Sequence, residues 1–199
     1  MTGESPVLYL ASASPRRREL LAQIGVSHRT VAVNVNEAWH DGETPELYVL
    51  RLALDKARAG RVQIAAADPR PVLGADTAVV IDGQVLGKPR DREDGIAMLR
   101  RLSGATHHVY TGVALVGDDE ATRLSVSAVT FRALTLEECD RYWHTGEPAD
   151  KAGGYAIQGR GAVFITRLEG SYSGVMGLPL FETAELIKEE ERVKRKEES

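Results

Sequence analysis

The stretch VLGADTAVVIDGQVL, Val72 to Leu86, decides the architecture. It reads as two strands joined by Asp82-Gly83, a residue pair suited to the tight turn of a hairpin. Upstream, Thr44-Pro45-Glu46 starts a helix whose apolar stripe is Leu47, Leu50, Leu54 and Ala57, predicted to run to about Ala66. Val31, Val33 and Val35 alternate with smaller or polar residues and predict a half-buried strand. Before them lie a helix over Pro15 to Ile24 and a buried strand over Val7 to Ala11. Downstream, Asp91 caps a helix that ends near Ser103-Gly104, and His108 to Val116 and Ala121 to Arg132 are β-rich. Thr135 and Glu138 fit a capping box for a helix to about His144. A glycine-rich irregular segment leads to a strand over Ala162 to Leu168, and Pro179 opens a last helix that frays into the charged run KEEERVKRKEES. Helices interspersed with both hairpins and isolated strands imply a mixed α/β or α+β fold, not a purely doubly wound sheet.

The chain has 199 residues, 43% hydrophobic and 27% charged, enough for one substantial core or two intimate lobes. A net charge of -4 and few aromatics disfavour a protein that coats nucleic acid. No apolar run approaches the roughly 20 residues that span a bilayer, and no basic segment precedes the first apolar run as in a secretory signal. The single cysteine, Cys139, forbids an internal disulfide. A cytoplasmic protein is expected.

SASPRRREL, Ser12 to Leu20, poses an electrostatic question. Ser14-Pro15 marks a helix start, with Ser14 expected to cap it, yet Arg16, Arg17 and Arg18 crowd the positive end of the helix dipole. Long arginines can bend into solvent. A strand, a short polar loop and a helix start also form a common phosphate-binding arrangement, and an anion would turn the repulsion into attraction. On that reading the empty site is strained, and Arg17→Ala leaves the unliganded protein no less stable.

Familiar phosphate motifs are absent. GQVLGKP lacks one residue and the Ser/Thr of a Walker A loop, and no G-x-G-x-x-G follows a strand. His107 and His108 point to opposite faces of a strand, a poor metal geometry. Asp76 ends the apolar run VLGA, where ligands of open α/β sheets gather. It reads either as a metal ligand or base, or as a turn residue bonded to its own backbone. Glu37, past the valine strand, reads as an oxygen ligand or a solvated carboxylate. Lys56 and Lys88 read as surface lysines when taken singly. Together, Arg16, Arg17, Lys56 and Lys88 can neutralise a triphosphate while Asp76 and Glu37 hold a bridging metal.

LYLASASPRRRELL, VLGADTAVVIDGQVLGKPRD, LSGATHHVYTGVAL and DKAGGYAIQGRGAVFITRLEGSYSGVMGLPL resemble, in order, the signature blocks of the Maf family of nucleoside triphosphate pyrophosphatases. The resemblance spans Leu8 to about Ile187. It implies a mixed sheet flanked by helices, in two lobes with a central cleft. One catalytic domain over residues 1–187 and a charged tail over 188–199 follow. It also implies hydrolysis of a nucleoside triphosphate to monophosphate and pyrophosphate with Mg²⁺ or Mn²⁺, and a homodimer.

By the same resemblance Asp76 is the general base, and Arg16, Thr77 and Gln158 bear on substrate choice. Ser12, Arg17, Glu37, Lys56 and Lys88 match other polar positions that line the family's cleft. Arg18 falls outside the pattern. AGGYAIQGRG and GSYSGVMGLPL look like the dTTP/UTP branch, and an amide at Gln158 offers a donor and an acceptor to the O4/N3 edge of uracil or thymine. A loop glutamine bonded to backbone is the alternative for Gln158. The alternatives for the whole protein are a nucleotide-sensing regulator of septum formation and cell division, and a 7-methyl-GTP pyrophosphatase.

Overall fold

In the computed structural model, which describes residues 7–197, the strands are β1 (Leu8–Leu10), β2 (His28–Thr30), β3 (Val72–Ile81), β4 (Gln84–Leu86), β5 (Thr106–Val116), β6 (Glu120–Phe131) and β7 (Ile165–Glu169). The helices are α1 (Pro15–Gln23), α2 (Pro45–Val62), α3 (Arg92–Leu102), α4 (Leu136–Trp143), α5 (Tyr172–Met176) and α6 (Leu180–Glu197). Seven strands form one sheet in the order β2-β1-β3-β5-β6-β7, with β4 on β3. β1 pairs in parallel with β2 and β3, whereas β3–β4 and β6–β7 are antiparallel. The sheet is therefore mixed, as Val72–Leu86 implies. Asp82 and Gly83 turn the β3–β4 hairpin with φ of 51° and 70°, both left-handed.

Two compact units divide the chain. The first takes the described residues up to Asp76, Thr111–Ser125 and those from Gly177 on; the second is Thr77–Tyr110 and Val126–Met176. Within the first, α2 lies directly on β3 and β5 with almost nothing but backbone between them. A Cβ at Gly74 would stand 2.1 Å from the Ala53 carbonyl oxygen and 2.7 Å from Ala57 N, and one at Gly112 would stand 2.5 Å from the Val49 carbonyl oxygen. Ala53, Ala57, Ala114 and Val116 fill the rest of this seam. In a strand interior, glycine at such points lets another backbone approach.

In the second unit Val79, Ile81, Leu86, Leu99, Leu102, Val129, Phe131, Tyr155 and Phe164 belong to one core. Asp91 caps α3 by accepting from Asp94 N at 2.8 Å, and Thr135 and Glu138 cap α4 reciprocally. The two adjacent histidines separate as alternation requires: His107 is buried and His108 exposed.

The structure corrects several expectations. Residues 31–35 alternate in burial, but they form no strand. Their potential partner β1 stops at Leu10, so pairing ends with Val31 N on the Leu10 carbonyl, and Gln63 Nε2 takes the Ala32 carbonyl instead. α2 ends at Val62, short of Ala66. Residues 160–164 are a 3-10 helix, so the final strand starts at Ile165 rather than Ala162. The short helix α5 was not anticipated, and α6 continues through the charged run to Glu197 instead of fraying after residue 187.

Gly74→Ala should be strongly destabilising. Its methyl meets backbone on the helix, which cannot rotate away, so the cost lies near about 3 kcal/mol, the upper end for overpacking. For a chain of this size that lowers Tm by roughly 6–12 °C. A calorimetric scan showing less than a 2 °C change would mean that α2 does not rest on β3 in this way.

Candidate active site

The close seat of α2 on β3 determines which side chains meet. Side chains alternate along a strand, so Asp76 emerges on the same face as Gly74, toward α2. On α2, Lys56 is next to Ala57, one of the residues packed over Gly74. The outcome is a bond of 2.7 Å from Lys56 Nζ to Asp76 Oδ1. The same ammonium lies 2.6 Å from Glu37 Oε1, so one cation holds two carboxylates. Asp76 and Lys56 are each 12% exposed at the side chain, whereas Glu37 is 54% exposed.

Burial raises the Asp76 pKa above the ordinary carboxylate range; the charges of Lys56 and Arg17 and the Lys56 hydrogen bond oppose the rise, and Glu37 adds to it. Tyr48 feels the same field. Its phenol is pushed up to about 12, first by desolvation and then by the negative charges of Asp76 and Glu37.

Pro15 occupies the first position of α1 as expected, but the Ser14 side chain makes no capping bond. Ser12 does the organising instead: its Oγ accepts from Ser14 N and from Arg17 Nη1, each at 3.2 Å. Arg17 Nε donates to the Gly177 carbonyl at 2.7 Å. Desolvation lowers the Arg17 pKa, with Asp76 opposing, Arg16 adding to the fall and Glu37 opposing. Arg17 thus has acceptors within the chain, and the crowded helix start is balanced partly by the protein. On balance its pKa is still lowered, so holding the Arg17 charge in the unliganded protein carries a net cost. Arg16 is half-buried and Arg18 exposed, in line with Arg18 lying outside the pattern.

Sequence reading missed the residues that hold Glu37. The stretch around it has no regular structure, yet α2 fixes it at several points. Tyr48 donates its hydroxyl to the Glu37 carbonyl at 3.0 Å, and Arg51 Nη2 donates to the Ala38 carbonyl at 3.0 Å. Arg51 also clasps both oxygens of Glu43, at 2.6 and 2.8 Å, and Trp39 stacks on Tyr48 with ring centroids 4.5 Å apart. Tyr48 and Arg51 are three residues apart on one helix, the only sequence signal for this clip, and it is shared by countless surface pairs.

Thr77, Lys88 and Gln158 belong to the second unit. Thr77 follows Asp76 in β3 and is half-buried. Lys88 is exposed just after β4, and Gln158 is exposed in the turn between Ile157 and Gly159. Among the described residues no hydrogen bond or ion pair holds either side chain within its unit.

Among the described residues no group of three or more His, Cys, Asp or Glu side chains is placed to hold a metal ion. Two carboxylates converging on Lys56 nevertheless suit a hard divalent cation that takes one or two protein carboxylates and completes its shell with phosphate oxygens and water. Asp76 and Glu37 fit that role.

The model of the Maf-like protein family matches residues 7–190. The chain belongs to the Maf family. It is 63% identical over 187 residues to a dTTP/UTP pyrophosphatase of Alkalilimnicola ehrlichii, covering 92% of this chain and 93% of that one. A dTTP/UTP pyrophosphatase of Saccharophagus degradans is 60% identical, over 90% of this chain and 87% of that one. One from Pseudoalteromonas atlantica is 52% identical, over 91% and 95%. Among solved structures, a nucleoside-triphosphatase / dITP/XTP pyrophosphatase of Mycobacterium abscessus aligns over 62% of this chain and 72% of that one at 18% identity, with a TM-score of 0.38, too low to bear on the fold. Among the described residues no helix is long and apolar enough to cross a membrane.

The Asp76 environment predicts a stability effect with a definite sign. A raised pKa means that the folded state binds the proton more tightly than the unfolded chain, so stability falls as pH rises from the ordinary carboxylate range to the Asp76 value. Above that window the charged carboxylate is a standing cost. Asp76→Asn in chelator-treated protein should therefore melt higher than the parent at pH 7, and the gap should close as pH is lowered through the window. A lower Tm for the variant at pH 7 would contradict this.

Arg17→Ala should leave the unliganded protein no less stable, because desolvation of the Arg17 charge outweighs what Asp76, Ser12 and the Gly177 carbonyl return. Scanning fluorimetry of the variant checks it; a clear drop in Tm would make Arg17 a structural residue.

Proposed function

We propose that this protein hydrolyses dTTP and UTP to the nucleoside monophosphate and pyrophosphate. The observation that carries the reading is the pairing of a buried carboxylate, Asp76, with Lys56 and Glu37 on the face of β3. The high identity to proteins named dTTP/UTP pyrophosphatase supports it and supplies the nucleobase.

Asp76 is the general base. Its raised pKa makes it a stronger proton acceptor than an exposed carboxylate, while Lys56 holds the acceptor in place. It takes a proton from water as the water oxygen bonds to the α-phosphorus; the bond from that phosphorus to the bridging oxygen breaks, and the electron pair leaves with pyrophosphate. Arg16, Arg17 and Lys56 balance the charge that accumulates on the phosphate oxygens, with Ser12 orienting Arg17 and Lys88 adding a further cation. Phosphoryl transfer draws most of its acceleration from such positioning and neutralisation. Asp76 and Glu37 would hold Mg²⁺ or Mn²⁺, which when bound supplies Lewis-acid polarisation of phosphate oxygens and lowers the pKa of bound water.

Arg16, Thr77 and Gln158 bear on which base is accepted, and an amide at Gln158 suits the O4/N3 edge of a 4-keto pyrimidine. The catalytic domain takes in residues 1–187, with 188–199 outside the chemistry. The family resemblance supports a homodimer acting in the cytoplasm, with free nucleotides rather than nucleic acid or membrane as its partners.

Pyrophosphate release from dTTP, UTP, CTP, GTP and 7-methyl-GTP, with Mg²⁺ or Mn²⁺, tests the reading. Release is expected fastest from dTTP and UTP, and Asp76→Asn should lower kcat by about 10²–10⁴-fold, the usual worth of a general base. Near-normal turnover in that variant would remove Asp76 from its role. Nucleotide binding without any release by the parent would make the protein a nucleotide sensor.

A further inference from the structure

The turn that carries Gln158 is fastened on both sides by polar groups, buried on one side and half-buried on the other, that the mechanism above does not use. Before it, Tyr155 is 5% exposed and its hydroxyl lies 2.7 Å from Nε2 of His107, which is fully buried. Ala156 N donates to the Tyr142 hydroxyl at 3.0 Å. After the turn, Arg160 N donates to Glu147 Oε2 at 3.0 Å and Gly161 N donates to Glu147 Oε1 at 3.1 Å. Tyr142 links the two sides, because its hydroxyl also donates to Glu147 Oε1 at 2.6 Å.

The glycines of the segment fit this fastening. A Cβ at Gly159 would stand 2.3 Å from Glu147 Oε2, and one at Gly161 would stand 2.7 Å from the Tyr142 hydroxyl. The loop backbone is therefore drawn down onto the carboxylate and phenol. Burial works against the charge on Glu147, yet the donors from Tyr142, Arg160 and Gly161 hold its carboxyl below the ordinary range. A charged carboxylate spending its lone pairs on loop amides is a strong orienting device. Gln158, at the centre, is exposed, and among the described residues no hydrogen bond holds its side chain within the unit.

We infer that Tyr142 and Glu147 are positioning residues that hold the Ala156–Gly161 turn so that the Gln158 amide is presented to the edge of a pyrimidine base. The inference rests on the role of Gln158 in the proposed function. Neither residue touches substrate; both act through the loop.

Two measurements test it. In hydrogen exchange, Tyr142→Phe should speed exchange across residues 156–161, with Ala156 losing its acceptor outright. In kinetics, Tyr142→Phe and Glu147→Gln should each raise KM for dTTP and UTP about tenfold while kcat stays within about twofold. Combined with Gln158→Ala, either should add no further rise, because all three act on one contact. Glu147→Gln keeps the shape of the site should Tyr142→Phe fold poorly. Unchanged exchange in 156–161, or KM effects that simply multiply with Gln158→Ala, would overturn the inference while leaving the pyrophosphatase reading intact. No turnover of dTTP or UTP by the parent would overturn both, even with the exchange effect present.

Discussion

The backbone of α2 touches the backbone of β3, and the candidate chemistry in the first unit depends on that contact. Helices usually pack on sheets through side chains, at a separation set by leucines and valines. Here Gly74 and Gly112 remove the side chains on the strand side, and Ala53 and Ala57 shrink them on the helix side. A lysine on such a helix begins close enough to the sheet to meet a short aspartate, with its ammonium at 2.7 Å. A normal helix-to-sheet spacing would leave Asp76 to water, without its cation and without the burial that strengthens it as a base.

The electrostatics follow from the same proximity. Asp76 is removed from water, which disfavours its charge, and it sits beside Lys56 and Arg17, which favour it. Arg17 is disfavoured by its own desolvation and by Arg16, and is steadied by Asp76, Ser12 and the Gly177 carbonyl. Neither group is in its most comfortable state. Each is held by neighbours anchored on rigid elements, as preorganised charge requires. Arg16, Arg17 and Lys56 bring three positive charges against the two negative charges of Asp76 and Glu37, a local balance that suits a polyanion in a protein whose net charge is -4.

Local chemistry made much of this legible in the sequence. The Asp82-Gly83 turn, the Asp91 cap and the Thr135/Glu138 capping box announce themselves because each depends on a few neighbouring residues. Asp76 could be suspected from its place at the end of VLGA, and the ordered motif blocks led to the family. What could not be read were contacts between residues far apart in the chain. The valines at 31, 33 and 35 alternate in burial as a strand would, but only the length of β1 decides whether they find a ladder. Arg17 on the Gly177 carbonyl spans 160 residues, and no periodicity encodes it. The clip on Glu37 and the fastening of the Gln158 turn are likewise made of ordinary Tyr, Arg and Glu residues whose partners appear only after folding.

Side-chain direction along β3 has a further consequence. Gly74 and Asp76 share the face toward α2, while Ala75 and Thr77 point the other way. The group offered to Lys56 is therefore chosen by parity. A one-residue insertion or deletion within this strand, chemically mild as it is, would bring Ala75 or Thr77 under the lysine and turn the carboxylate to the opposite side. A change in the residue count of β3 would therefore break the Lys56–Asp76 pairing even where it leaves the composition of the strand almost unaltered.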